Sequence, residues 1–147
     1  MLAIAAEEAQ SVSEPPLILA VTALTSLASE DIHALGVGGS AEDWVKRLAE
    51  LAYDSGIRGL VASSKELPVL RRTYQDKMKL VIPGIRPAGS EQQDQSRVST
   101  PGEAILAGAD FIVVGRPILK NANPAGAADA IVSEIQQALL SKNAKPQ

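Results

Sequence analysis

Gly115 and Arg116 follow a short apolar run, Phe111 to Val114, and together they could grip an anion. Glycine lets a ligand approach the backbone and leaves its amide accessible, and arginine presents a planar fork of donors suited to phosphate. By itself, a Gly-Arg pair reads as a C-cap glycine beside a surface arginine. The loop from Pro83 to Ser99 changes that reading. It is too long and too polar for a connector, with Arg86, Gly89, Ser90, Gln92, Gln93, Asp94, Gln95 and Arg97 along it. Loops of that length in compact domains are functional or disordered. Barrels of alternating strands and helices place phosphate sites after their seventh and eighth strands, and these two turns have that character. His33 sits in a short segment predicted to be an exposed helix and reads as a plain surface histidine. With one histidine and no cysteine, a zinc site of the usual ligands is not expected.

The elements that must carry these groups are punctuated in the sequence. Leu80–Ile82 and Phe111–Val114 are apolar, β-branched runs, which predicts strands buried on both faces, as in parallel sheets. Between them Thr100 is placed to cap a helix, Pro101 to take its first position and Glu103 to complete a capping box, with Gly108 near its end. A strand–helix–strand unit of this length is a parallel crossover. The rest of the chain repeats the alternation. A helix is predicted from Leu2 to about Ser11, stopped by Pro15-Pro16, then a strand over Leu17–Leu24, ended by Thr25 and Ser26, and a short helix over Ser29–Leu35. Ser40 caps the next helix, with Glu42 and Asp43 in its first turn and Trp44, Val45, Leu48, Leu51 and Ala52 on one buried face; Gly56 ends it. Gly59–Ala62 is a strand, Ser63 or Ser64 starts a helix to about Gln75, and Asn123-Pro124 opens the last helix. That helix shows Ala127, Ile131, Ile135, Ala138 and Leu139 along one side, and the tail SKNAKPQ is expected to fray. The fold class is α/β, with four strands of the buried parallel type.

The stretch PGIRPAGSEQQDQSRVSTPGEAILAGADFIVVGRPI resembles the C-terminal signature of the orotidine 5′-phosphate decarboxylase family, and LAVTALTS resembles that family's fifth strand and following turn. The resemblance runs from Met1 to about Leu139. It implies half of a TIM (β/α)8 barrel: residues 1–147 as a single half-barrel, its four parallel strands corresponding to strands five to eight. It also implies roles for residues. Thr25 matches a threonine that contacts the substrate, Arg86 in GIRP an arginine that helps bind it, Gln95 a loop glutamine that reaches over the nucleotide, and Gly115 and Arg116 the pair that grips the phosphate. Ser96 stands where relatives often carry a basic residue.

A closed barrel of this kind has eight strands and about 250 residues. In the family, catalysis depends on a Lys and Asp array with the signature D-x-K-x-x-D, carried by the first three strands. No Asp of this chain is followed two positions later by Lys; Asp76-Lys77-Met78-Lys79 comes nearest and reads as a solvated charge cluster. The implied reaction removes CO₂ from C6 of the pyrimidine with neither metal nor cofactor. It needs a fixed ammonium beside the developing carbanion, and no residue here supplies one. The expectation is therefore a decarboxylase homologue of UMP biosynthesis reduced to its substrate-binding half, inactive alone, as a truncated product or one piece of a split enzyme. The alternatives are a non-catalytic phosphate- or nucleotide-binding module and a phosphosugar enzyme like the hexulose-phosphate synthases.

Composition sets the remaining bounds. The 147 residues are 46% hydrophobic and carry a net charge of −3; one domain with an aliphatic core is expected, with neither nucleic acid nor membrane as partner. Orotidine or uridine monophosphate, or phosphate, is the expected ligand. The absence of cysteine and of a signal-peptide pattern fits a cytoplasmic protein. Four strands cut from a barrel leave two apolar edges, so a homodimer or larger species is expected, or pairing with a separate N-terminal half.

Overall fold

A computed structural model describes residues 1–24, 27, 29–34, 36, 38–87 and 99–143. Its elements, in chain order, are α1 (Leu2–Gln10), β1 (Leu19–Val21), α2 (Ser29–Ala34), α3 (Ala41–Asp54), β2 (Gly59–Val61), α4 (Leu67–Tyr74), a single 3₁₀ turn (Gln75–Lys77), β3 (Lys79–Ile82), α5 (Pro101–Leu106), β4 (Phe111–Ile112), α6 (Arg116–Leu119) and α7 (Pro124–Asn143). The four strands form one sheet in the order β1-β2-β3-β4, every pairing parallel. Sequential parallel order with a helical connection at each step is the arrangement that a run of crossovers produces.

The sheet has two unlike faces. Leu60, Leu80 and Ile82 are fully buried and join Val45, Ala49 and Ala52 of α3, Leu67 and Leu70 of α4, Met78 and Ala104 of α5 in one core. This is the helix-covered face. Register places Val21, Val61, Val81 and Phe111 side by side on the other face, because alternate residues of a strand point to opposite sides. There Val21 is 58% and Phe111 54% exposed. Gly59 lies on this face too, paired with Leu19 and Lys79, and a side chain there would strike Leu19, whose Cδ2 comes within 2.4 Å of the position a Cβ would take; glycine lets Leu19 lie over β2.

Burial on both faces, expected of all four strands, therefore holds only for β3 and most of β2. The two outer strands are shorter than the apolar runs that contain them, three residues instead of Leu17–Leu24 and two instead of Phe111–Val114. Each has a neighbour on one side only, and the ladder stops where that neighbour turns away. Two helices bury the expected faces except at one edge of each. In α3 the buried residues are Ala41, Val45, Ala49 and Ala52, whereas Leu51 is 57% exposed. Small residues bring the helix close to the sheet, and Trp44 packs against the core from its flank. In α7, Ile131 and Ala138 are buried but Leu139 is exposed. The tail is helical through Asn143, not frayed from Ser141.

The caps form as the sequence predicts. Thr100 Oγ1 accepts from the Glu103 amide at 3.2 Å, and the Glu103 carboxylate accepts from the Thr100 amide at 2.9 Å. Ser40 and Asp43 make the same reciprocal pair on α3. The caps hold both carboxyls below their usual range: for Glu103 the Thr100 amide is the largest cause, and for Asp43 the Ser40 hydroxyl, followed by the Ser40 amide.

At the amino ends of β3 and β4 an ionic clamp ties four segments together. Arg71 of α4 donates to the Gly108 carbonyl from Nε at 2.9 Å and from Nη2 at 2.6 Å, to Met78 O at 3.3 Å, and also to the Gln75 carbonyl and the Asp110 carboxylate. Asp110 accepts as well from Lys79 Nζ and the Leu80 amide, each at 2.9 Å. Burial pushes the Asp110 carboxyl up, but the Leu80 amide, Lys79 and Arg71 together outweigh it and hold the group below 3.8.

Candidate phosphate-binding end of the sheet

The carboxyl ends of β3 and β4 carry the anion-suited groups. After Ile82 the chain turns through Pro83 and Gly84, the latter at φ +75°, where an L side chain is strained. Ile85 then buries itself and forms a parallel bridge to Ser99, and the Arg86 amide donates to Ser99 O at 3.0 Å. The long polar loop is thereby pinned at both ends, just beyond β3. Arg86 is half-buried there.

On the neighbouring strand, Val113 N donates to Ile82 O at 2.9 Å, so β4 keeps its register past its last assigned residue. Gly115 and Arg116 follow. The turn expected here is the start of α6: Gly115 is its N-cap, and its carbonyl accepts from the Ile118 and Leu119 amides, each at 3.0 Å. Pro117 suits the first turn of a helix, since its missing N–H would have no partner there. Gly115 has φ −105°, and a Cβ placed on it would meet nothing within 4 Å. Neither conformation nor crowding demands glycine, so what it leaves is an uncovered backbone. Arg116 is exposed beside it.

Of the five residues singled out from the sequence, the structure thus brings Arg86, Gly115 and Arg116 to one end of two adjacent strands. Thr25 and Gln95 lie outside the described residues. The Asp110 clamp sits at the opposite end of the same strands.

One polar pair at this end was not read correctly from the sequence. Ser63 and Glu66, at the carboxyl end of β2, are 1% and 4% exposed, and the Ser63 hydroxyl donates to the Glu66 carboxylate. The predicted helix from Ser63 or Ser64 begins only at Leu67 and ends at Tyr74, because this pair, with the Lys65 amide donating to Ser63 Oγ at 3.3 Å, closes a turn first. The S-x-x-E spacing was the available signal; it is that of a capping box, one turn too early. Among the described residues no group of three or more His, Cys, Asp or Glu could hold a metal ion, and no helix is long and apolar enough to cross a membrane.

Comparison with known proteins agrees with this geometry. The family model described as orotidine 5′-phosphate decarboxylase / HUMPS matches residues 1–131. The orotidine 5′-phosphate decarboxylase of Syntrophotalea carbinolica is 49% identical over 125 residues, 85% of this chain and 51% of the relative. That of Bradyrhizobium diazoefficiens is 52% identical over 122 residues, 83% of this chain and 52% of the relative. Among solved structures, the orotidine 5′-phosphate decarboxylase of Lactobacillus acidophilus superposes with a TM-score of 0.70 at 34% identity, over 83% of this chain and 50% of that one. The chain spans about half the length of the curated relatives it matches.

Proposed function

The chain belongs to the orotidine 5′-phosphate decarboxylase / HUMPS family, and on that premise we propose that it is the substrate-gripping half of such a decarboxylase barrel, its β1 to β4 corresponding to strands five to eight. The observation that carries this reading is the convergence of Arg86 and Gly115-Arg116 beyond the carboxyl ends of adjacent parallel strands. In β/α barrels that is the end where phosphate is held. Arg116 would pair with phosphate oxygens through charge-assisted bonds and Gly115 would add its backbone. Arg86 would bind the nucleotide from the next strand, and Thr25 and Gln95 would complete the contacts at its pyrimidine and loop sides. The ligand is orotidine or uridine 5′-monophosphate, and the role belongs to pyrimidine biosynthesis in the cytoplasm.

The chemistry itself needs an ammonium beside C6 to stabilise the carbanion and then to protonate it. In this chain no Asp has a Lys two positions on, and Lys79, the first residue of β3, is held by Asp110 at the amino end of the strand. The chain alone therefore binds nucleotide without turning it over. Titration calorimetry with uridine 5′-monophosphate tests this, with orotidylate absorbance followed in parallel. Arg116→Ala should weaken binding by about 1.5–3 kcal/mol, the worth of a charge-assisted partner. Equal affinity in both proteins, or robust turnover by the purified chain, would overturn the reading.

A further inference from the structure

Ser63 and Glu66 form a polar pair just beyond the carboxyl end of β2, 1% and 4% exposed. Burying a carboxylate is costly unless hydrogen bonds offset the lost water. Here the Ser63 hydroxyl donates to it, and the Lys65 amide donates in turn to Ser63 Oγ at 3.3 Å. The turn is closed on itself, and what it carries outward is Lys65. The backbone of that residue is fixed between the two anchors, while its side chain is exposed. Among the described residues Lys65 makes no ion pair, whereas Lys46 is paired with Glu42 and Lys79 with Asp110.

The strand register sets where this ammonium stands. Val61, Val81 and Phe111 lie at one level of three adjacent strands. Four residues on from that level come Lys65 and Gly115, and five on come Arg86 and Arg116. Basic residues therefore leave β2, β3 and β4 within one residue of the same height. Adjacent strands are about 4.8 Å apart, so the three points of departure span about 10 Å, a width that long side chains can bridge. A phosphate presents several strong acceptor oxygens and takes more than one cation. Lysine binds it as a point charge, without the fixed fork of arginine.

We propose, on the nucleotide reading above, that Lys65 is a further phosphate-binding residue, supplied by β2 and held in place by the Ser63–Glu66 pair. The pair is a positioning device and acts on the ligand only through Lys65.

Titration calorimetry of the 147-residue chain with uridine 5′-monophosphate, at low and at high salt, tests this. Lys65→Ala should weaken binding about fivefold at low salt, the upper end for an exposed ion pair, and the difference from wild type should shrink as salt screens the charge. Lys65→Arg should keep most of the affinity. Lys142→Ala removes an equal charge from the last turn of α7, about 27 Å along that helix from its start, and should change nothing. Urea midpoints should be equal for Lys65→Ala and wild type, because the side chain is exposed. Ser63→Ala should weaken binding in the wild-type chain and add nothing once Lys65 is alanine, the signature of residues that act as a unit. Unchanged affinity in Lys65→Ala beside a weakened Arg116→Ala would overturn the role of Lys65 and leave the nucleotide reading standing. A chain in which neither change matters, or that binds no nucleotide, would overturn both. A Lys65→Ala loss that ignores salt, or a Ser63→Ala loss that persists without Lys65, would also overturn the proposal.

Discussion

Replacing Arg71 by alanine should destabilise the fold by about 3 kcal/mol. The guanidinium is 22% exposed and its partner Asp110 19%, so water screens the contact only in part. A hydrogen bond to a charged group nets about 1.5–3 kcal/mol. Arg71 makes two such bonds to Gly108 O alone, but they share one planar group and do not add in full. Asp110 is not orphaned by the change, because Lys79 and the Leu80 amide still hold it; that keeps the loss below the 3–5 kcal/mol of a broken, fully buried pair. The carbonyls of Gln75, Met78 and Gly108 lose their donor, and Gln75 has φ +50°, a conformation that non-glycine residues adopt only under restraint. Arg71→Lys should recover less than half of the loss, since an ammonium cannot span Gly108 and Asp110 together. Urea unfolding followed by circular dichroism, at fixed protein concentration, measures this as a lower midpoint with unchanged slope. A loss under about 1 kcal/mol, or an Arg71→Lys protein equal to wild type, would show that the clamp is a surface contact of little weight.

Two further outcomes follow from the same geometry. The Asp110 carboxyl is held below its usual 3.8 in the folded chain, so its contribution is present above the unfolded value and is lost as pH falls through the lower folded one; Asp110→Asn should flatten the stability–pH curve below about pH 4, and a wild-type slope in that variant would be against it. Thr100→Ala removes the acceptor of the Glu103 amide and should cost about 1 kcal/mol by thermal or urea unfolding, with no change expected if α5 is held by its packing on α7 alone.

The parts of the fold written in local chemistry were legible. Thr100, Pro101 and Glu103 specify the start of α5, Ser40 and Asp43 that of α3, and both boxes form. The run of four parallel strands was legible from β-branched clusters separated by helical spacing. What could not be read was which apolar residues stay exposed. Leu19 and Leu60 look alike in sequence, yet one is 41% exposed and the other fully buried; the difference is whether a strand has neighbours on both sides and a helix above, a property of the whole sheet. Leu51 misled for a related reason. The i, i+4, i+7 pattern of Trp44, Leu48 and Leu51 is real, but the alanines one step round the helix approach the sheet more closely.

The candidate site divides along the same line. Arg116 and Arg86 were recognisable because a phosphate grip needs charge and open backbone, and both are local features. Their convergence depends on the pairing of β3 with β4 and on the Ile85–Ser99 bridge, which no local pattern encodes. This separation bears on what half a barrel can do. The proposed phosphate grip rests on Arg86 and Gly115-Arg116, which lie beyond two adjacent strands of this chain. On the function proposed above, nucleotide binding needs these residues while the D-x-K-x-x-D signature does not occur in the 147 residues, and binding and turnover should separate when the chain is assayed for each.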